Sequence, residues 1–318
     1  MHLNILHLDD AFAGQADFMA ACEARSANQV SAQKIGAEVR LWGRRAAMEK
    51  LQGRLKVELK GLKSDQPVVT WMGSGDFHHV TALIASCLAD ARGMPFTIVH
   101  IDNHPDWVKF RNGIHCGSWV SYVLKNRIAE RVVSVGMTSG DLSCPELKHA
   151  DLSLIATQRQ IIFPLHETST FVVRSYGSGR SHRSCGMRLS WKRFGNNEDN
   201  SGHFEAAAAV ETEAIYVTLD KDALAPADAA TNWDQGTLRL DGVLEWLRAL
   251  MSRHIVLGVD VIGDRSTQMY GGSNFDRLLK RSEALLDQPR LSPGGSDTPK
   301  INQAANLKLL AALEDQLC

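Results

Sequence analysis

Acidic and imidazole side chains follow three apolar runs of this sequence, and they are of the types that bind metal ions. Asp102, His104 and Asp106 occupy every second position after the run FTIVHI. On an extended backbone this spacing points all three side chains to one side. Buried carboxylates at such spacing repel one another unless a cation neutralises them. The motif HIDNHPDW therefore predicts a divalent metal site, and an acidic turn in which Asp102 caps the next helix is the alternative.

Two further segments have the same design. The segment AIYVTLDKDAL runs from a β-branched strand into Asp220 and Asp222, again two residues apart. The segment PVVTWMGSGDFHHV passes through a glycine-containing turn to His78 and His79, at the expected start of a helix. Taken alone, each segment is also typical of an acidic turn or of a helix capped by Asp76. Because the carboxyl ends of parallel strands share one edge of a sheet, we expect the three segments to meet there.

The number of potential ligands bears on the kind of metal centre. Four aspartates (Asp102, Asp106, Asp220 and Asp222) and two histidines (His104 and either His78 or His79) are more than one tetrahedral zinc ion takes. They suit two ions that share bridging carboxylates. Sets that are rich in oxygen and contain some imidazole favour Mn²⁺ or a related first-row ion. The sequence therefore predicts two divalent metal ions, with Mn²⁺ as the expected metal.

The ordered series GSGDFHH, DNHPD and TLDKD resembles the arginase/agmatinase/formiminoglutamase (ureohydrolase) family, whose motifs are GGDHS, DAHxD and SxDxD. The resemblance covers roughly residues 65 to 265. It implies a dinuclear centre with six ligands: His78, Asp102, His104, Asp106, Asp220 and Asp222. His79 is the alternative to His78 as the first ligand, because Phe77 separates the aspartate of this motif from the histidines.

The resemblance also implies a reaction. The loop NGIHCG is similar to the family's loop in which a histidine shuttles protons, and His115 takes that place. A histidine at a helix start, bonded to the backbone, is the alternative interpretation. The implied enzyme hydrolyses a non-peptide C–N bond, in a guanidino, amidine or amide substrate, through a metal-bridging hydroxide. Asp106 would orient that hydroxide as a hydrogen-bond acceptor, and His115 would pass a proton to the leaving amine.

One departure from the family concerns the end of a strand. Arginases and agmatinases have a strand that ends Asp-x-x-Glu, whose glutamate faces the guanidinium group. The matching segment GVDVIGDRS has Asp260 followed by Gly263 at the glutamate position. Asp264 could take over that role only if the strand end bulges. The resemblance therefore implies a metal-dependent hydrolase that is not a standard arginase.

The substrate loops depart from the family as well. The loop TNWDQG replaces a glycine-rich loop and brings Trp233 and Asp234 close to the metals. Trp233 would form a pocket wall, or else pack in the core. Lys109 and Arg111, in the segment WVKFRNGI, could grip a substrate carboxylate at the mouth of the cleft, although such residues are more often solvated.

The elements that must position these residues follow from the hydrophobic pattern, in which short β-branched runs alternate with amphipathic stretches. The predicted strands are residues 3–8, 67–72, 96–101, 131–137, 160–165, 214–219 and 254–261. The predicted helices include residues 31–60, 79–92, 118–128, 241–253 and 303–317. This alternation predicts a three-layer α/β/α fold with a mostly parallel sheet that is covered on both faces.

Two segments break this alternation. Residues 174–204 are rich in Gly, Ser, Asn and Arg, and predict a surface insertion or mobile flap whose use as a lid stays open. Residues 287–300 predict a flexible linker before a last helix. Neither segment is typical of a boundary with a second core behind it. We therefore expect one domain over residues 1–318.

Composition excludes several classes of partner. The 35 Lys and Arg nearly cancel the 36 Asp and Glu, so no global field favours nucleic acid or an anionic membrane. No uncharged apolar stretch approaches the ~20 residues of a membrane-spanning helix, and no export signal is visible. The six cysteines form no CxxC pair and are expected as reduced thiols in the cytoplasm. The expected partner is a small-molecule substrate, and the oligomeric state, a homo-oligomer included, stays open.

Two other functional classes compete with a ureohydrolase-like enzyme. A catalytically inert or regulatory metal-binding relative is favoured by the altered substrate loops and disfavoured by the complete ligand set. A deacetylase-like amidohydrolase resembles the same fold, but such enzymes generally use one zinc ion and lack the third acid of DxHxD. Asp106 argues against that class.

Overall fold

The computed structural model of this protein describes residues 1–59, 66–195, 201–289 and 297–318, and in this part the chain alternates between strands and helices. The strands are β1 (His2–His7), β2 (Asn28–Ser31), β3 (Trp42–Arg44), β4 (Val68–Trp71), β5 (Phe96–Ile101), β6 (Gly113–His115), β7 (Arg131–Val135), β8 (Gln160–Phe163), β9 (Thr168–Phe171), β10 (His182–Cys185), β11 (Arg188–Trp191), β12 (Ala214–Asp220) and β13 (Ile255–Ile262). The helices are α1 (Ala16–Ala24), α2 (Gln33–Val39), α3 (Arg45–Glu58), α4 (Val80–Arg92), α5 (Trp119–Lys125), α6 (Ser153–Ala156), α7 (Ser201–Ala208), α8 (Leu240–Met251), α9 (Asn274–Asp287) and α10 (Thr298–Leu317).

Eight of these strands form a central sheet in the order β2-β1-β4-β13-β12-β5-β7-β8, and every neighbouring pair is parallel. Alternate residues of a strand face opposite sides. In β12, Val217 joins the apolar cluster that contains α8 and α10, whereas Tyr216 joins the cluster under α4 and α5. Because both faces are buried, the inner strands are rich in apolar residues. The three-layer α/β/α fold with a mostly parallel sheet is confirmed.

The seven predicted strands correspond to β1, β4, β5, β7, β8, β12 and β13, and the eighth, β2, was not predicted. The single helix predicted over residues 31–60 is wrong. The chain there forms the end of β2, then α2, β3 and α3. The short strand β3 pairs antiparallel with β6, far along the chain. Since that partner is distant in sequence, the local helical pattern contained no sign of it.

The segment 174–204, which was predicted as an insertion or flap, contains the strands β10 and β11. With β9 they form a three-stranded antiparallel sheet. Trp191 is buried in a cluster with Trp107, and its indole Nε1 donates to Thr170 Oγ1 at 2.7 Å. Residues 182–191 therefore have regular secondary structure, and the insertion or flap stays a prediction. Residues 196–200 lie outside the described residues.

The chain after β13 also differs from the expected layout. α9 was not predicted, and it occupies residues that precede the predicted linker. Residues 290–296 of that linker lie outside the described residues, and α10 begins at Thr298, five residues before the predicted start of the last helix. None of the described helices is long and apolar enough to cross a lipid bilayer. The single-domain organisation stays a prediction.

A buried ion pair connects β12 to the segment after β13 and to α10. Lys221 Nζ lies 2.6 Å from Asp264 Oδ1 and 2.9 Å from Asn306 Oδ1, and all three residues are fully buried. Asn306 also accepts a hydrogen bond at 3.0 Å from the indole of Trp71 on β4. Because Lys221 stands between Asp220 and Asp222 in sequence, this network fixes the backbone that carries two of the predicted metal ligands.

Replacing Lys221 by Met is expected to lower the free energy of unfolding by about 3 to 5 kcal/mol, because the Asp264 carboxylate would stay buried without a cation. Urea unfolding followed by circular dichroism measures this change. The double variant Lys221→Met/Asp264→Asn should recover much of the loss, since it removes the unpaired charge. A single variant that loses less than about 1 kcal/mol, the range of an exposed pair, would contradict this account.

Candidate metal centre

Three segments bring the predicted ligands together at the carboxyl edge of the central sheet. The first cluster forms around His78, which follows a short 3₁₀ turn after β4. Its Nδ1 lies 2.9 Å from Asp102 Oδ2, 3.4 Å from Asp106 Oδ2 and 3.5 Å from Asp220 Oδ2. All four side chains are buried. One imidazole nitrogen therefore faces three carboxylates that come from two adjacent strands, β5 and β12.

The second cluster forms around His104. Its Nδ1 lies 3.0 Å from Asp222 Oδ2 and 3.4 Å from Asp102 Oδ1. Asp102 thus directs one carboxylate oxygen to each histidine, so the two clusters share this residue. Among the described residues, the side chains whose ligand atoms lie close enough to surround one ion form two sets, His78, His100, Asp102 and Asp106, and Asp102, His104 and Asp222. A pair of ions bridged by Asp102 fits this arrangement.

The side chains of Asp102, His104 and Asp106 come together after β5 for a different reason from the predicted one. The prediction of an extended backbone through residues 102–106 is wrong, because β5 ends at Ile101 and the chain then turns. Asp106 has a φ of 47°, a left-handed conformation that is unusual for residues other than glycine. The backbone turn, and not strand geometry, returns the Asp106 carboxylate to His78. Such backbone strain is often found at functional sites.

The structure distinguishes the two candidate histidines of the first segment. His78 meets the carboxylates, whereas His79 is fully buried and belongs to neither set of potential ligands among the described residues. His79 is the residue before α4. The arrangement therefore favours His78 as the first ligand.

Polar partners on the far side of each ring orient the two histidines. His78 Nε2 lies 2.8 Å from Thr218 Oγ1, and this hydroxyl donates to Asp260 Oδ1 at 2.5 Å. Since the hydroxyl proton is used on Asp260, Thr218 must accept from His78 Nε2–H. His104 Nε2 likewise lies 3.0 Å from Asp234 Oδ1. Each ring thus donates Nε2–H away from the centre and directs Nδ1 at the carboxylates, which leaves Nδ1 as the nitrogen that a metal ion would take.

Two residues in this centre were missed by the sequence analysis. His100 Nε2 lies 2.9 Å from Asp102 Oδ2, and its Nδ1 lies 3.0 Å from Ser134 Oγ on the neighbouring strand β7. The Trp119 indole donates to Asp106 Oδ2 at 2.5 Å. His100 precedes Asp102 by two residues, so extending the alternating pattern one step back into the strand would have found it. No local signal pointed to Trp119.

Burial and mutual repulsion shift the pKa values of the carboxyl groups in the centre. Burial and the nearby Asp102 raise the pKa of Asp222 to about 8. Burial and the same neighbour raise the pKa of Asp106, and burial together with Asp222 raises that of Asp220. Against the effect of burial, the histidines around Asp102 hold its pKa well below the usual range. Carboxylates under this repulsion, with the Nδ1 atoms of two imidazoles beside them, are a donor set that fits divalent cations.

The metal-free protein is expected to lose stability as the pH rises from about 4 to about 8. In the unfolded chain Asp222 titrates near 4, whereas in the folded metal-free protein its pKa is about 8. Within this window the folded state holds a proton that the unfolded state has released, so each rise in pH favours unfolding. Thermal melts in a chelator across this range measure the effect. Saturating Mn²⁺ should reverse the trend, because metal ligands must be deprotonated.

A cavity of about 780 Å³ opens above the two clusters. Trp233 and Asp234 line it, as predicted, and the Trp233 ring packs edge-on against His104 with 5.7 Å between ring centroids. Lys109 also lines it, but Arg111 is exposed and outside the residues that line it. The predicted substrate contact by Arg111 is therefore not supported. Asp264 is fully buried against Lys221 and does not reach the cavity, which corrects its predicted role as a substitute anchor.

His115 lies on the wall of the same cavity, and both interpretations of this residue describe part of its geometry. Its Nδ1 accepts from the backbone N–H of Gly117 at 2.8 Å, as expected of a histidine at a helix start. Its Nε2 contacts Glu283 Oε1, on α9. Since Nδ1 is an acceptor here, the neutral ring carries its proton on Nε2. That proton faces the cavity and not the two clusters, so His115 lies apart from the potential metal ligands.

Similarity to solved structures identifies the fold of this protein. No family model matches the sequence. An uncharacterized protein of Thermotoga maritima is 25% identical over 207 residues, which span 65% of this chain and 62% of that protein. Formimidoylglutamase from Bacillus subtilis aligns with a TM-score of 0.59 and 12% identity over 99% of this chain and 87% of that one. Arginase from Medicago truncatula aligns with a TM-score of 0.55 and 14% identity over 98% and 86%. The chain therefore has the arginase fold that the motif resemblance implied.

Proposed function

We propose that this protein is a dinuclear metal-dependent hydrolase that cleaves a non-peptide C–N bond in a small guanidino, amidine or amide substrate. One observation carries the proposal. The Nδ1 atoms of two histidines face buried carboxylates, Asp102 is common to both histidines, and the group lies at the base of a cavity large enough for a small molecule. The arginase fold supports the proposal, since proteins named formimidoylglutamase and arginase have it.

The donor set divides between two ions. His78, His100, Asp102 and Asp106 offer ligand atoms for one ion, and Asp102, His104 and Asp222 offer them for the other. Asp220 completes the set, with its Oδ2 3.5 Å from His78 Nδ1. Since the ligands are mostly oxygen, Mn²⁺ is the expected metal. When bound, such ions supply Lewis-acid activation of water and of the electrophilic carbon.

Residues of the chain position the reactants and move the proton. The Trp119 indole holds Asp106 Oδ2, which would accept a hydrogen bond from the attacking water. His115 donates its Nε2–H to Glu283 on the cavity wall, and would pass a proton from this position to the leaving amine. Trp233, whose ring packs edge-on against His104, would limit the size of the substrate.

Metal analysis and a substrate panel test the proposal together. Protein loaded with Mn²⁺ and dialysed is expected to retain close to two ions per chain. The loaded protein should release urea, ammonia or an amine from at least one member of a panel of guanidino, amidine and amide compounds. Retention of one ion or none would reject the dinuclear centre. Two ions without turnover across the panel would instead indicate a metal-binding protein that is not an enzyme.

A further inference from the structure

Helix α9 packs against the rest of the chain through polar side chains. A surface helix normally buries its apolar face and exposes its polar one. In α9, Lys280 is fully buried, donates to the backbone oxygen of Glu38 at 2.6 Å and lies over the Trp42 ring. Asp276, one turn earlier, is buried in an ion pair with Arg44. The polar face of this helix is therefore its inner face.

The apolar side chains of α9 lie on the opposite, outer face. Five large apolar residues, which we call the apolar stripe, are between 41% and 83% exposed: Phe275, Leu278, Leu279, Leu285 and Leu286. Their spacing of three, four and seven residues places them on one side of the helix. Together they expose on the order of 500 Å² of apolar surface. Contiguous apolar patches of this size on a protein surface are often interaction sites.

Opposite charges flank the apolar stripe. Arg277 and Arg281, both exposed, lie along one side of it, and Glu283 and Asp287 lie along the other. An anionic membrane would be attracted by the basic flank but repelled by the acidic one, so the charges disfavour a lipid surface. A second copy of this chain offers the same apolar stripe with the same two flanks. It therefore matches both the apolar surface and the charges.

We propose that two copies of this chain form a dimer in which their α9 helices pack side by side through the apolar stripe, parallel to each other and to a two-fold axis. Parallel packing places the basic flank of each copy beside the acidic flank of the other, whereas antiparallel packing brings like charges together. A standard interface buries about 800 Å² per partner, of which about 60% is apolar. The apolar stripe supplies about that apolar area.

The proposed interface borders the cavity above the candidate metal centre. Leu286 belongs to the apolar stripe and also lines this cavity, so the second copy would lie beside the cavity mouth. The dimer does not depend on the proposed hydrolase activity, because α9 contributes none of the potential metal ligands found among the described residues. Its test therefore needs no substrate.

Sedimentation velocity of the full chain at micromolar concentrations, with and without Mn²⁺, measures the dimer. We expect the wild-type protein to dimerise. Leu285→Glu should raise the dimer dissociation constant by at least about 100-fold, because each copy would bury a charge in an apolar interface. Leu147→Glu is the matched control, since Leu147 is 82% exposed, Leu285 is 81% exposed, and only Leu285 lies on α9. The control should keep the constant within about 3-fold. Circular dichroism checks that both variants fold.

Disulfide cross-linking tests the orientation of the helices. Leu278→Cys and Leu285→Cys are made separately in a protein that also carries Cys185→Ser and Cys318→Ser, which removes the two exposed native thiols found in the described part of the chain. Parallel packing brings each position opposite the same position of the other copy, so each variant alone should form a covalent dimer. Antiparallel packing would link the two variants only when they are mixed.

Four results would overturn this proposal. The first is a wild-type protein that stays monomeric at these concentrations. The second is a dimer that resists Leu285→Glu, or that Leu147→Glu dissociates equally well, since it would use another surface. The third is cross-linking only in the mixture, which would exclude the parallel arrangement. The fourth is a monomer that binds phosphatidylserine vesicles and loses this binding in Leu285→Glu, which would assign the apolar stripe to a lipid surface.

Discussion

Replacing Asp102 by Asn is expected to reduce the metal content from about two ions per chain to less than one and to lower turnover by at least about 10³-fold. Among the described residues, Asp102 is the carboxylate that faces both histidines, at 2.9 Å from His78 Nδ1 and 3.4 Å from His104 Nδ1. An amide at this position removes the negative charge that each ion would share. Plasma mass spectrometry after dialysis and steady-state kinetics measure the two effects.

Asp234→Asn is the matched control for this experiment. Asp234 also contacts a histidine of the centre, but through the outer nitrogen, His104 Nε2. Its loss should therefore keep both ions while weakening metal affinity by roughly 10- to 100-fold, as is typical of groups that orient a ligand. If Asp102→Asn retains two ions, or if Asp234→Asn loses more metal than Asp102→Asn, the assignment of the bridging carboxylate is wrong.

Replacing His115 by Ala is expected to lower turnover by roughly 10²-fold or more while the metal content stays at the wild-type value. The ring carries its proton toward the cavity and contacts Glu283, not the carboxylates of the two clusters. It can therefore serve proton transfer without serving as a ligand. Imidazole in the buffer should restore part of the rate by entering the space that the side chain leaves.

His149→Asn provides the comparison, since His149 lies on the wall of the same cavity. His149 has a φ of 59°, a conformation that Asn accepts more readily than Ala does. We expect this variant to keep turnover within about 3-fold of the wild-type protein, a loss far below that of a missing general acid. A 10²-fold loss in His149→Asn, with His115→Ala nearly unaffected, would assign proton transfer to the other histidine. Loss of an ion in His115→Ala but not in His78→Ala would require a new assignment of the ligands.

Most of the central sheet could be predicted from the sequence, because its strands are buried on both faces and contain almost only apolar residues. The helix α9 could not. Its buried positions include Asp276 and Lys280, while Phe275, Leu278 and Leu285 are exposed. The polar contacts that bury α9 involve distant partners, such as Arg44 for Asp276. Glu283 therefore had no local pattern that pointed to the cavity.

The sequence by itself determined the chemistry of the candidate centre. The types and order of its aspartates and histidines after apolar runs indicated a dinuclear site at the ends of parallel strands, because strand ends of one sheet meet at one edge. Tertiary structure decided the individual roles. It turned His78 and not His79 to the carboxylates, added His100 and Trp119, and paired Asp264 with Lys221. Such choices depend on which atoms of distant segments come within hydrogen-bonding distance, and local spacing along the chain contains no information about that.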